Sequence, residues 1–280
     1  MGDPGILYIV ATPIGNLDDI SQRALKILQE ADIVAAEDTR HSKKLLQAYQ
    51  ISTPMVSLHE HNEASRAQEL VNRLAKGQRI ALISDAGTPL ISDPGYVLVS
   101  EVRAQGYQVV PIPGACAAVA ALCAAGLPTD RFLFVGFLPQ KNSPRRQALE
   151  NVLQEPCTLV LYESPRRIIE LLQLINELDA QRTVCLAKEL TKTFERFFTG
   201  CAADLLRQLE DDPDLQKGEW VVLLAGCDKP EELVIPPAVL DAVELAARDL
   251  PLKKACELVA RLTDRKKNAL YQAVLERRGE

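Results

Sequence analysis

The sequence predicts an α/β protein: two α/β domains in series, followed by a small C-terminal helical appendage. Three observations predict it. Short β-rich runs such as ILYIVAT (6–12) and RIALIS (79–84) alternate with amphipathic helical stretches, the pattern of parallel strands covered by helices. The alternation resumes in the second half with TLVLYE (158–163) and WVVLLAG (220–226). Beyond residue 237 the strand signal stops and three short helical patterns follow. A chain of 280 residues is long enough for two compact cores.

Taken in order, the first strand (6–12) ends in Pro13-Ile14-Gly15-Asn16 and leads to a helix over 21–30, with Ile20, Ala24, Ile27 and Leu28 at helical spacing. IVAAED (33–38) is a second strand ending in acids. Helices are expected over 42–49 and 63–75, with PMVSL (54–58) as a strand between them. RIALIS is followed by an eight-residue phrase given twice, ISDAGTPL (83–90) and ISDPGYVL (91–98). The first turn brings backbone to the end of a strand. The second starts a helix over 95–105, with Asp93 as N-cap and Pro94 at its first position. QVVPIPG (108–114) closes the first domain, 1–114.

A helix of small residues over 115–126 opens the second domain, 115–228. Strands at 158–163, 183–190 and 220–226 alternate there with helices over 165–178 and 201–209. Residues 226–237 read as a linker, and 237–280 as a basic helical appendage.

Composition narrows the function. With 47% hydrophobic and 25% charged residues the chain is neither disordered nor fibrous. No apolar run reaches the roughly 20 residues needed to span a bilayer, and the N-terminus has no signal-peptide pattern, so no membrane role is expected. Seven scattered cysteines without a C-x-x-C pair suit reduced thiols in a cytoplasmic protein, and with only three histidines no metal centre is expected. The net charge is −6, but 248–280 carry nine Lys/Arg against five Asp/Glu, which leaves −10 on the first 247 residues. An acidic body with a basic tail is compatible with a local polyanion contact.

Ligands of open parallel sheets bind at the carboxyl ends of the strands. There the chain has no G-x-G-x-x-G and no G-x-x-x-x-G-K-[ST], which disfavours a pyrophosphate cofactor. The loops are acidic or neutral (Asp18, Glu37, Asp38, Asp85, Asp93), which suits a ligand with a cationic part such as S-adenosylmethionine.

The runs LYIVATPIGNLDDIS, AEDTR, LISDAGTPLISDPG, PIPGACA, LPTDRFLFVGFLP, YESPRR, AKELTKTFE and GEWVVLL, in this order over residues 7–226, resemble the tetrapyrrole-methylase superfamily, and within it the branch that methylates small-subunit ribosomal RNA. The resemblance implies two α/β domains of the tetrapyrrole-methylase type with the cofactor cleft between them. It further implies a cytoplasmic, homodimeric enzyme that uses S-adenosylmethionine to methylate the 2′-hydroxyl of a cytidine in 16S ribosomal RNA. The alternatives are a tetrapyrrole methyltransferase of the same superfamily and a non-catalytic RNA-binding ribosome-assembly factor. A nicotinamide-dependent oxidoreductase is a weaker third, since its phosphate fingerprint is missing.

Carried over residue by residue, the resemblance assigns cofactor contacts to Pro13, Asp85, Gly87, Thr88, Ile91, Cys116, Ala117, Tyr162, Ala187 and Trp220. Thr88 stands where porphyrin methylases have an acid, which makes Asp85 the nearest carboxylate. Trp220 either walls the adenine or fills the core of the last strand. Transfer to a ribose hydroxyl needs a general base or a lysine that stabilises the alkoxide. Lys188, Glu189 and Glu37 are the catalytic candidates, and Asn16, Arg40, Arg166, Arg167 and Lys192 the substrate-binding ones. Lys253, Lys254, Arg265, Lys266 and Lys267 are expected to attract RNA.

Overall fold

In the computed structural model the apolar runs of the N-terminal half become β1 (Ile6–Val10), β2 (Ile33–Ala36), β3 (Met55–Ser57), β4 (Arg79–Ile83) and β5 (Gln108–Ile112). They pair in parallel in the order β3-β2-β4-β1-β5. The structure describes residues 5–59, 61–227, 235–263, 265 and 267–278. The linker expected over 226–237 lies mostly outside them, as do Glu60 and Lys266.

Parallel sheets are buried on both faces, so their central strands are apolar throughout rather than alternating. All four residues of β2 are buried, as are the last four of β4. One face packs Leu7 and Leu82 against α3 (Glu63–Leu74) and α4 (Tyr96–Ala104). The other packs Val10, Val34 and Ile83 against α1 (Gln22–Glu30) and α2 (Thr39–Ala48). The carboxyl ends of β4, β1 and β5 therefore lie side by side.

The second half adds α5 (Ala117–Ala124), β6 (Phe132–Phe137), α6 (Asn142–Val152), β7 (Thr158–Glu163), α7 (Ile168–Leu178), β8 (Thr183–Lys188), β9 (Arg196–Cys201), α8 (Ala202–Asp211) and β10 (Trp220–Leu224). This sheet has the order β6-β7-β10-β8-β9, parallel only between β6 and β7. Helices α6, α7 and α8 cover one face and α5 the other. Sequence periodicity misses β9, an edge strand without a buried residue, and α6, whose third position is Pro144. Helix α7 starts at Ile168 rather than Pro165.

Both sheets belong to one unit ending at Cys227. The second unit holds α9 (Pro237–Ala246), α10 (Leu252–Thr263) and α11 (Lys267–Arg278) around Val243, Cys256, Val259, Leu270 and Val274. Among the described residues no helix is long and apolar enough to cross a membrane.

Candidate active site

The doubled phrase between β4 and α4 folds into a loop with four residues in the left-handed half of backbone space: Gly87 (φ 83°), Leu90 (73°), Ser92 (67°) and Gly95 (131°). Leu and Ser there cost of order 1–3 kcal/mol each, strain that persists only where surroundings over-determine it. The restraints are visible. Thr12 and Gly87 form an isolated antiparallel bridge, and the Thr88 hydroxyl donates to the Ala115 carbonyl at 2.9 Å. Leu90 packs on Gly95, where a Cβ would also lie 2.9 Å from Leu82 Cδ2.

Helix α4 begins at Tyr96 with Gly95 at the N-cap position, so Asp93 is not its cap and Pro94 not its first residue. The buried Glu63 of α3 takes that role: its Oε1 accepts the N–H groups of Gly95 (3.1 Å), Val97 (2.8 Å) and Leu98 (3.3 Å). A carboxylate from a neighbouring helix meets the orphan donors and the positive end of the helix dipole.

Freed from capping, Asp93 lines a cleft of about 350 Å³ between the two sheets. Eight of the expected cofactor residues line it: Gly87, Thr88, Ile91, Cys116, Ala117, Tyr162, Ala187 and Trp220. No Lys, Arg or His does, whereas Asp93, Glu163 and Glu219 do. Burial pushes the Asp93 carboxyl above its usual range, the Ser84 hydroxyl pulls it down, and nearby Asp85 adds to the rise. The Tyr162 hydroxyl accepts the Ala118 N–H at 3.1 Å, with the rings of Phe134 and Phe137 edge-on at 5.1 and 5.5 Å. Burial, and secondarily Cys116, push this phenol well above its usual range, so it stays neutral.

Pro13 and Asp85 are placed elsewhere, in a second cavity of about 260 Å³ lined by Thr12, Pro13, Gly15 and Leu17 after β1, His41, Ser42, Lys44 and Leu45 of α2, and Ser84 and Asp85 after β4. The chain passes from one cavity to the other between Asp85 and Ala86, and the Thr12–Gly87 bridge stands at this divide. Asp85 Oδ1 accepts the Asp38 N–H at 3.1 Å, which ties it to the end of β2 and away from the cleft.

A turn with left-handed Glu189 (φ 52°) and Thr191 (φ 67°) follows β8. Lys192 Nζ lies 2.9 Å from Glu189 Oε1 and 2.9 Å from Glu219 Oε2, and Glu189 Oε1 also accepts the Glu219 N–H at 2.9 Å. Burial opposes charge on both partners. For Lys192 the carboxylates of Glu219 and Glu189 outweigh it and raise the ammonium above its usual range. For Glu189 the Lys192 ammonium and the Glu219 N–H outweigh it and hold the carboxyl below its own. Gly15 seats against this lysine, since a Cβ there would lie 2.5 Å from Lys192 Cγ.

Lys188 lines neither cavity. It neighbours Trp220 across the sheet, and Trp220 neighbours Glu163. That row points into the core covered by α6–α8, with Lys188 Nζ 5.8 Å from the Trp220 ring centre. Ala187, Val221 and Tyr162 point the opposite way, toward α5 and the cleft. Trp220, only 2% exposed, is thus chiefly a core residue that edges the cleft. Glu37 lines neither cavity. Arg40, at the exposed start of α2, pairs with Asp38 at 3.0 Å, and its hydrogen bonds bring the Asp38 carboxyl down to about 2. Arg167 puts Nε (2.7 Å) and Nη2 (2.6 Å) on Oε1 of buried Glu163, while Arg166 is exposed. Asn16 accepts the Asp18 N–H at 3.1 Å and caps the short turn Leu17–Asp19.

Two family models match this architecture: the tetrapyrrole (corrin/porphyrin) methylases over residues 6–206, and the RsmI C-terminal HTH domain over 234–278. The chain belongs to the tetrapyrrole methylase family. A protein of Pasteurella multocida named ribosomal RNA small subunit methyltransferase I is 55% identical to it over 97% of both chains. A protein of the same name from Pseudomonas aeruginosa is 51% identical over 99% of both. The crystal structure of uroporphyrin-III C-methyltransferase from Thermus thermophilus, complexed with S-adenosyl homocysteine, shares the fold with a TM-score of 0.54 at 18% identity, over 79% of this chain and 97% of that one.

In this tetrapyrrole methylase sequence reasoning passed over Phe137 in the cleft and Glu63 at the start of α4, and it gave Asp93, an acid of the strand-end loops, the capping role that Glu63 fills. The doubled S-D-x-G phrase was the available signal for Asp93, since it sets two acids in the one loop that follows β4.

Proposed function

We propose that this tetrapyrrole methylase transfers a methyl group from S-adenosylmethionine to the 2′-hydroxyl of a cytidine in 16S ribosomal RNA, as a cytoplasmic homodimer. One observation carries the cofactor assignment: a cleft within the size range of small-molecule sites, lined by the carboxylates of Asp93 and Glu219 and by no basic side chain. That acceptor set suits a ligand bearing a sulfonium and an ammonium group and repels a phosphate-bearing one. Relatives more than 50% identical over nearly the whole chain, all named for small-subunit ribosomal RNA, support the acceptor.

Gly87, Thr88 and Ala117 would bring backbone to the cofactor, Tyr162 would wall it, and Asp93 would face its cation. Bound there, S-adenosylmethionine supplies an electrophilic methyl group whose departure leaves a neutral thioether. Positioning then provides much of the rate, and the remaining needs are charge stabilisation at the attacking oxygen and loss of the hydroxyl proton, which passes to solvent water. Lys192, held protonated and seated on the β1 loop, provides that charge, and Glu189 orients it. Arg166 and Arg40 are exposed and serve backbone phosphates, with Lys253 and Lys254 on α10 adding attraction. Homodimer formation is supported by the edge strand β6, which exposes Phe132, Leu133 and Phe137.

Mapping 2′-O-methyl groups in ribosomal RNA from cells lacking the protein tests the assignment. Loss of one cytidine methyl from the small subunit is expected; an unchanged map would refute it.

A further inference from the structure

The second cavity lies outside the cleft assigned above to the cofactor and shares a wall with it. The β4 loop and the β1 loop each serve both: Ala86 and Gly87 face the cleft while Ser84 and Asp85 face the cavity, and Ile14 faces the cleft while Pro13 and Gly15 face the cavity. At about 260 Å³ the cavity is of the size of a pyrimidine nucleoside rather than of a tetrapyrrole macrocycle. Its polar lining is mixed. Asp85 offers a carboxylate with one oxygen engaged by the Asp38 N–H. His41, Lys44 and the Ser42 hydroxyl offer donors from the first turns of α2. Ser42 is 2% exposed, and its Oγ has no hydrogen-bond partner in the structure, an unmet polar atom of the kind that awaits a ligand.

The geometry points to this cavity as the seat of the acceptor nucleotide, with Asp85 as the group that selects cytosine. The inference rests on the RNA assignment above and adds the residues that read the base. Enzymes that do chemistry on a base extrude it from the stack and read its Watson–Crick edge in a pocket, and the same reading would let an enzyme that acts on the attached ribose select its nucleotide. Cytosine presents there an exocyclic amino donor beside two acceptors. The Asp85 carboxylate takes the amino group, and His41 and the Ser42 hydroxyl supply donors to the ring nitrogen and carbonyl. Uracil would instead turn a carbonyl oxygen toward Asp85, and a buried acceptor facing an acceptor leaves both unsatisfied. Lys44, exposed at the rim, is placed for the nucleotide's phosphate. Asp85 is thus a specificity residue rather than a cofactor contact.

The test is a calorimetric titration of the full-length protein, saturated with S-adenosyl homocysteine, with cytidine 5′-monophosphate and with uridine 5′-monophosphate. The expected result is at least a fivefold preference for the cytidine nucleotide. Asp85→Asn should reduce it to less than twofold, and Lys44→Ala should weaken both nucleotides by a similar severalfold factor. Equal binding of the two by the wild-type protein, or no binding of either, would overturn the inference without any variant. A preference that survives Asp85→Asn would overturn the role of that residue. Titration of the same protein, free of S-adenosyl homocysteine, with S-adenosylmethionine separates the two levels. Failure of wild-type protein to bind it refutes the methyltransferase assignment, whereas cofactor binding without nucleotide preference refutes only the present inference.

Discussion

The backbones of Thr12 and Gly87 are hydrogen-bonded to each other twice: the Thr12 N–H donates to the Gly87 carbonyl at 2.8 Å and the Gly87 N–H to the Thr12 carbonyl at 3.1 Å. This short bridge locks the loop after β1 to the loop after β4 and stands between the acid-lined cleft and the second cavity. Gly87 meets the requirement with a φ of 83° and lines the cleft without a side chain.

Gly87→Ala is therefore expected to weaken S-adenosylmethionine binding by tenfold or more. The added Cβ would lie 3.2 Å from Ile14 Cγ2, and alanine is disfavoured at this φ. Calorimetric titration reads the effect. An unchanged dissociation constant would mean that this loop does not contact the cofactor.

Glu63→Ala should destabilise the N-terminal sheet region by about 2 kcal/mol, because three N–H groups at the start of α4 lose one charged acceptor. Glu63→Gln retains a carbonyl oxygen and should lose less. Denaturant unfolding measures both, and equal stability of wild type and Glu63→Ala would remove the capping role.

Asp93 sets a trade between stability and binding. Its folded-state carboxyl is raised, burial being the main cause, so its proton stabilises the fold and that contribution is lost as pH rises through the folded value. At neutral pH the ionised carboxylate costs stability. Asp93→Asn should accordingly raise the melting temperature of the cofactor-free protein at pH 7 while weakening S-adenosylmethionine binding. In the wild type, affinity should fall as pH drops through a range somewhat above that of ordinary carboxylates, and the variant should lack this step. A variant that binds as well as wild type across that range would show that Asp93 does not face the cofactor's cation.

Lys192→Met should lower turnover by roughly a hundredfold, as expected for losing one preorganised charge at a developing oxyanion, with cofactor affinity nearly unchanged. Glu189→Gln should produce a smaller loss of the same kind, because it loosens the ammonium rather than removing it. Single-turnover methylation rates check both. A Lys192→Met enzyme with wild-type turnover would exclude this lysine from the reaction.

The first sheet was legible because strands buried on both faces announce themselves as apolar runs closed by Gly, Pro and acids. β9 was not, since RFFTGC contributes no buried residue and reads like a loop. Within the cleft, Gly87, Thr88, Cys116 and Tyr162 were accessible from motif order, whereas the side of a wall on which a residue falls was not. Asp85 and Ala86 are adjacent in the chain and line different cavities. Ser92-Asp93-Pro94-Gly95 has the form of a helix start, and only the packing of α3 against α4 reveals that Glu63 already occupies the cap. Lys188 is the instructive case. Strand alternation alone places it opposite Ala187, so assigning Ala187 to the cleft already turned Lys188 toward the core.

The central claim is tested most directly by incubating the purified protein with isotopically labelled S-adenosylmethionine and small ribosomal subunits from cells that lack it, then digesting the RNA to nucleosides and identifying the labelled product by mass spectrometry. The predicted result is label in 2′-O-methylcytidine alone, approaching one per subunit. Label on a base, on another nucleoside, or no transfer to RNA at all would contradict it.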